Sequence, residues 1–240
     1  CIRDSERFFT VVSTGRSFLR RAAATLGAAA ILTAGMTPAA SASPSLDSLN
    51  IASPNLYGNA RDIINSPGVP EEISSALNKG IDFLTGEGEG EPGFKVPEGA
   101  PKTNQFLLPT VADKCIGGEG RSFGLATTVP GPADLPLPGV PENQLGFIFT
   151  GLGTKQLAKQ QDTEMNVYWV NVANGKYGKT TLENNGINAE EGPGAVNGTA
   201  DTGKGVVIAV MQGGITTQEE PGPTNCSYTP TAGVFPVGLN

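Results

Sequence analysis

The sequence contains no histidine in 240 residues. That absence excludes the commonest general base, the Ser-His and Cys-His nucleophile pairs, and most zinc and copper sites. Lysine, carboxylate or N-terminal nucleophile chemistry would survive it. Aromatic residues make up only 6% with a single tryptophan, so Trp169 is expected to anchor a small core. Basic charge is scarce outside the first 42 residues, which hold five of the 16 basic and two of the 23 acidic side chains; the remainder carries 11 basic against 21 acidic, a net of −10. A domain with that balance and no basic stripe has nothing to neutralise phosphate, which excludes nucleic acid and argues against anionic lipid. What the chain has in plenty is turn-forming residues, 33 Gly and 19 Pro. They fit short strands joined by turns and do not fit a helical bundle.

Arg16, Arg20 and Arg21 precede a small-residue apolar run from Ala22 to Met36, Pro38 breaks it, and Ala40-Ser41-Ala42 supplies an A-x-A cleavage pattern. Residues 1–42 therefore read as an N-terminal extension and a signal peptide cleaved after Ala42. The run is short and alanine-rich, so a stable transmembrane anchor is not expected. Arg20-Arg21 lacks the following pattern of a twin-arginine signal, and the export route stays open. No cysteine follows the run, which argues against a lipoprotein.

Past the leader, Cys115 and Cys226 remain. A single pair in an oxidising compartment reads as a disulfide. It closes a loop of about 110 residues, worth up to about 4–5 kcal/mol by loop entropy.

Residues 43–103 read as a partly helical segment and linker. Leu56, Ala60, Ile63 and Ile64 have helical spacing. Pro70, then Glu71 and Glu72, suit a first helical turn, and Ile73, Leu77, Ile81 and Leu84 form a stripe that Gly86 can stop, which places a helix at 70–85. The segment GEGEGEPG from Gly86 to Gly93 reads as a solvated linker and not as a calcium loop.

From about Asn104 the period changes. Ser122–Val129, Leu145–Thr150, Met165–Val172, Gly178–Leu182, Val206–Met211, Ser227–Thr229 and Val234–Val237 read as strands separated by Gly, Pro and Asn turns. Met165, Val167 and Trp169 share one face, and Asn166, Tyr168 and Val170 the other. Asn174-Gly175 signals a tight hairpin. Val206–Val210 reads as a doubly buried central strand. The expected fold is mainly β, an Ig-like sandwich over residues 104–240 with a short N-terminal helical segment. Because Trp169 lies more than fifty residues after Cys115, the disulfide is expected to tie the ends of the domain and not to pin sheet to sheet.

Candidate functional residues are few. Val129 to Pro141, VPGPADLPLPGVP, reads first as a strap with Leu135, Leu137 and Val140 tucked inward, and second as a stiff recognition loop. Tyr168, Phe147 and Phe149 could offer an aromatic platform, though alternation gives such rings to the core more often. Glu183 to Thr202 reads as acidic surface. Asp162, Glu190, Glu191 and Asp201 supply hard oxygen ligands but share no spacing, so neither metal nor cofactor is expected.

Three catalytic-looking patterns fail on context. Gly120-Arg121-Ser122-Phe123-Gly124 matches G-x-S-x-G without a histidine or the strand–turn–helix it needs. Gly198 to Gly205 approaches a P-loop but has Gly205 where Ser or Thr belongs and leads into a strand. Gly88, Gly90 and Gly93 match a dinucleotide fingerprint inside the linker, after a helix.

The segments LLPTVADKCIGG, VPGPADLPLPGVP, FTGLGT, YWVN, NNGIN and GITTQEEPGPTNC, with the alanine-rich leader and Glu71–Leu84, resemble secreted cell-envelope proteins of mycolic-acid-containing actinobacteria. The resemblance runs from Phe106 to the C-terminus. It implies export, envelope residence and an Ig-like fold, and it brings no catalytic residue. The expected function is an exported, non-enzymatic binding or structural module whose partner is an envelope protein, glycan or lipid. The alternatives are a carboxylate-dependent glycan hydrolase, or an accessory subunit docked on a membrane complex through the 70–85 helix.

Overall fold

The computed structural model describes residues 54–87, 106, 109–187 and 190–239, all within the compact unit Ala42–Asn240. Two helices come first, α1 (Pro54–Ile64) and α2 (Glu71–Thr85). Eight strands follow: β1 (Thr110–Ile116), β2 (Gly120–Pro130), β3 (Leu145–Leu152), β4 (Met165–Asn171), β5 (Tyr177–Leu182), β6 (Ala195–Ala200), β7 (Gly205–Gln218) and β8 (Pro223–Val237). They form two antiparallel sheets, β1-β2-β3-β6 and β5-β4-β7-β8. This is the mainly β, two-sheet sandwich the sequence implies. An immunoglobulin constant domain sets ABED against CFG; the order here is different, so the comparison stops at the architecture.

Alternation along β4 divides its side chains between two cores. Met165, Val167 and Trp169 point between the sheets, where Phe147, Phe149 and Val207 meet them. Tyr168 and Val170 point outward and are covered by Ala60 and Ile64 of α1 and by Ile73, Leu77 and Ile81 of α2. β7 lies between β4 and β8 with Val206–Met211 buried on both faces. The helical stripe therefore packs on its own sandwich. α2 starts after Pro70, with Glu71 and Glu72 at its positive end, and stops at Gly86 in the left-handed region, where the Glu87 N–H bonds the Asp82 carbonyl at 2.9 Å.

The disulfide Cys115–Cys226 is present, with the Cα atoms 4.8 Å apart. It does join the first and last strands, but β1 and β8 belong to different sheets, so the bond also crosses the sandwich, contrary to the expectation from Trp169.

Four further elements depart from the sequence reading. β6 falls inside the segment read as surface, yet Ala195, Val196, Asn197 and Ala200 are buried. β1 carries charges and a register shift between Ala112 and Ile116, with Lys114 at φ 54°. β8 is one strand where two short runs were expected, because Pro230 falls where the pairing shifts between Met211–Thr231 and Gly213–Tyr228, and β8 is an edge strand that tolerates proline. The β4–β5 connection is closed by Gly175 N–H to Asn171 O and Asn171 N–H to Lys176 O, a wider loop than the two-residue turn that Asn174-Gly175 suggests. Among the described residues, no helix is long and apolar enough to cross a membrane. The linker from Gly88 to Gly93 lies outside the described residues, as does the leader.

Candidate functional site

β2 ends at Pro130 and β3 begins at Leu145, and the proline-dense connection between them is held by its own backbone. Gly131 N–H bonds Gln144 O at 2.9 Å, Ala133 and Val140 exchange both bonds at 2.9 and 2.7 Å, and Gly139 N–H closes the tip on Pro136 O at 2.8 Å. Val140 is 2% exposed, Pro136 is also buried, and both lie against Gly146 of β3. Leu135 and Leu137 flank that anchor and are 65% and 55% exposed. The strap reading is thus corrected in part: of Leu135, Leu137 and Val140 only Val140 turns inward, and Pro136 supplies the second anchor. A hollow of about 530 Å³ lies beside the loop, bounded by Pro132, Asp134 and Pro138 among others.

A second apolar feature escaped the sequence reading. Phe123 and Leu125 on β2, and Leu152 paired with Phe123 on β3, are large and exposed on the outer face of the first sheet. Their i, i+2 spacing was the available signal, but alternation alone does not say which face a partner covers.

The aromatic candidates are interior. Phe147 and Phe149 are fully buried between the sheets, and Phe149 meets Tyr228 edge-on at 4.6 Å. Tyr168 is 3% exposed beneath α2. Its hydroxyl donates to Glu72, and Lys179 Nζ donates to the same carboxylate at 3.0 Å. The two bonds, Tyr168 first and then Lys179, hold the Glu72 carboxyl below its ordinary value. Burial and the bond to Glu72 push Tyr168 up, and Glu72 raises Lys179. None of these three rings presents a face for a sugar or peptide.

Two of the three pattern matches resolve into structural roles; the third, at Gly88, Gly90 and Gly93, lies outside the described residues. Ser122 is fully buried, bonded to Tyr228 Oη at 2.7 Å and to Leu152 O at 2.9 Å, beside the disulfide. Residues 201–204 are the turn between β6 and β7. Asp162, Glu190, Glu191 and Asp201 are all exposed, Asp201 pairs with Lys176, and no cluster of metal-ligating side chains occurs among the described residues. A functional-looking group the sequence hid is Glu219, 4% exposed, whose carboxylate accepts N–H bonds from Gly117 at 3.2 Å and Lys155 at 2.9 Å. It sits in a run, Gln218 to Pro221, that reads as a solvated turn.

No protein-family model matches the chain, and neither does any curated protein or any solved structure.

Proposed function

We propose that the chain is an exported, non-enzymatic module of the bacterial cell envelope that holds an envelope partner through the loop at 131–141. The observation that carries this reading is the pairing of a braced backbone with outward leucines: Leu135 and Leu137 are 65% and 55% exposed on a loop whose own bonds fix its shape. A preorganised loop loses little entropy on binding, so two exposed apolar side chains on it are efficient anchors. Their chemistry suits an apolar groove or acyl surface better than a glycan, which asks for hydrogen bonds.

Export rests on the leader and on the similarity to secreted proteins of mycolic-acid-containing actinobacteria, and a buried disulfide is compatible with an oxidising compartment. The accessory-subunit alternative loses its docking element, because the stripe of α2 is spent on its own sheet. The hydrolase alternative has a pair of carboxylates, Glu164 and Glu183, beside one cleft, but both are exposed.

The test is a Leu135→Asp/Leu137→Asp variant of the full chain, expressed in a mycolic-acid-containing actinobacterium and followed by fractionation. Both side chains are exposed, so thermal unfolding should stay unchanged. The variant should be exported normally and move from the envelope fraction to the medium. An unchanged distribution sinks the loop as the binding element, and retention of both proteins in the cytoplasm sinks export.

A further inference from the structure

Besides its two outward leucines, the loop at 131–141 carries a hollow of about 530 Å³ whose walls are open to solvent: Pro132, Asp134, Pro138 and Pro141 are all exposed. Its chemistry is one-sided. Three of the seven lining residues are prolines and have no N–H. Ala133 and Val140 use theirs on each other, and Gly139 bonds Pro136 O. Only Asp134 is left with a backbone donor to offer. Acceptors are better supplied. The Asp134 carbonyl oxygen lies 3.7 Å from where a Gly139 Cβ would stand, and no Cβ covers it from that side. The Asp134 side chain adds a carboxylate without an ion-pair partner among the described residues. No lysine or arginine occurs between Gly131 and Gln144.

We propose that the partner of this loop is a protein, and that one of its arginine side chains enters the hollow while Leu135 and Leu137 seat in an apolar groove beside it. The proposal rests on the loop being the binding element. A guanidinium matches such walls because it carries five donors and no acceptor. It is also flat and weakly hydrated, so it can lie against proline rings where a compact ammonium would keep its water. An anion would meet Asp134 and the neighbouring Glu142 with no cation in the loop to offset them. The same carboxylate decides between the two apolar occupants the leucines admit. Asp134 directly precedes Leu135, so pushing the leucines into a layer of acyl chains takes a carboxylate toward hydrocarbon, where nothing pairs with it. A protein groove can set an arginine at its rim to meet that charge. At longer range, the net charge of −10 over residues 43–240 steers a basic partner toward the domain and repels an acidic one.

Backbone NMR of the full chain reads the hollow directly. N-Acetyl-arginine methylamide and its lysine and glutamate counterparts are titrated while the amide signals of Ala133, Asp134, Gly139 and Val140 are followed. The arginine compound should move these four signals, the lysine compound should bind more weakly, and the glutamate compound should leave them in place. Asp134→Asn, at an exposed position, should weaken the arginine compound about threefold, the order expected of one solvent-facing ion pair. Signals that ignore arginine, a response to lysine or glutamate as strong as that to arginine, or an affinity that Asp134→Asn leaves unchanged would each overturn the arginine. Sedimentation with phosphatidylcholine vesicles, which carry no net charge, tests the rival occupant. The native chain should stay in the supernatant; pelleting that Leu135→Asp/Leu137→Asp abolishes would make the partner an acyl layer and overturn the protein. Fractionation of that same variant keeps the two readings apart. If it leaves the envelope while arginine fails to bind, the loop stands and the hollow falls; if it stays in the envelope, the loop reading falls and the proposal with it.

Discussion

Cys115 and Cys226 join the outermost strands of opposite sheets, β1 and β8, and both are completely buried. The seam between those two strands carries a bond from Val111 N–H to Thr229 Oγ1 at 3.1 Å, while at the opposite seam, between β5 and β6, Glu183 and Asn197 exchange backbone bonds and the Asn185 amide donates to Asn197 Oδ1 at 3.0 Å. One edge of the sandwich is covalent and the other is not.

Two consequences follow for redox chemistry. The Cys115→Ser/Cys226→Ser protein should lose up to about 4–5 kcal/mol, because the bond closes a loop of sequence separation 111. Urea denaturation of the two proteins reads this as a lower midpoint. Because neither sulfur is exposed, a reductant alone should leave the native bond intact, and thiol labelling should appear only once denaturant opens the fold. Prompt labelling in native buffer would contradict the burial.

Gly80 sits in the middle of α2, where glycine costs about 1 kcal/mol relative to alanine. A Cβ placed there would lie 2.0 Å from Val210 Cγ2 of β7. Close approach of the helix to the sheet requires the missing side chain. Gly80→Ala should therefore destabilise by about 1–2 kcal/mol, overpacking outweighing the gain in propensity. Gly80→Ala/Val210→Ala should recover part of the loss, and a double-mutant cycle by thermal unfolding measures that coupling. A stabilised single variant would mean that the helix does not pack at this distance.

These contacts mark what the sequence made legible. Met165, Val167 and Trp169 alternate with Tyr168 and Val170, so periodicity found the strand and its two faces; that the helices cover the outer face is seen only in the fold. The stripe of α2 was equally plain. β6 was hidden because Ala195, Gly198, Thr199 and Ala200 carry little apolar volume; its pairing with β3 and the Glu183 bridge place it, and both are long-range. The strand read as ending at Met211 runs on to Gln218: Gly213, at φ 125° with Glu164 O in the way of any Cβ, pairs with Met165 and Tyr228, and the extra residue at the register shift lies on β8, where Thr229 and Pro230 face Gln212. In the loop at 131–141, the sequence reading turned Leu135, Leu137 and Val140 inward together, whereas Leu135 and Leu137 are exposed and only Val140 is buried. The Ala133–Val140 pairing and the buried Pro136, neither readable from the leucines' own spacing, fix how the loop lies.

Glu72 couples α2 to the sheet and makes that docking pH-dependent. Its folded-state value is lowered, first by the Tyr168 hydroxyl and then by Lys179. A lowered carboxyl contributes stability above its ordinary value of 4.5 and loses it as pH falls through the lower folded value. Lys179 and Tyr168 are raised, so their share is present below their ordinary values and fades only in strong alkali. Glu72→Gln should thus be less stable than the native chain at neutral pH, with the two converging in acid. Urea midpoints from pH 7 downward check this, and parallel curves would show that the carboxylate does not hold the helix.

Glu219 offers the clearest test of a side chain acting as loop clamp. Its two oxygens take the Gly117 N–H in the β1–β2 turn and the Lys155 N–H in the β3–β4 connection, from a position just past the end of β7. Neighbouring Glu220 pairs with Lys155 Nζ at 2.6 Å, but that pair is exposed and worth little. Removing the Glu219 carboxylate strips two part-buried backbone donors of their acceptor, at up to about 1–3 kcal/mol for each one that water does not satisfy. Glu219→Ala should therefore cost several times more stability than Glu220→Ala. Amide exchange gives the sharper readout. Gly117 and Lys155 should lose protection together in Glu219→Ala while Val207 and Ala209 in the core keep theirs. If the two amides exchange at native rates in the variant, some other acceptor holds them, and the clamp is not Glu219.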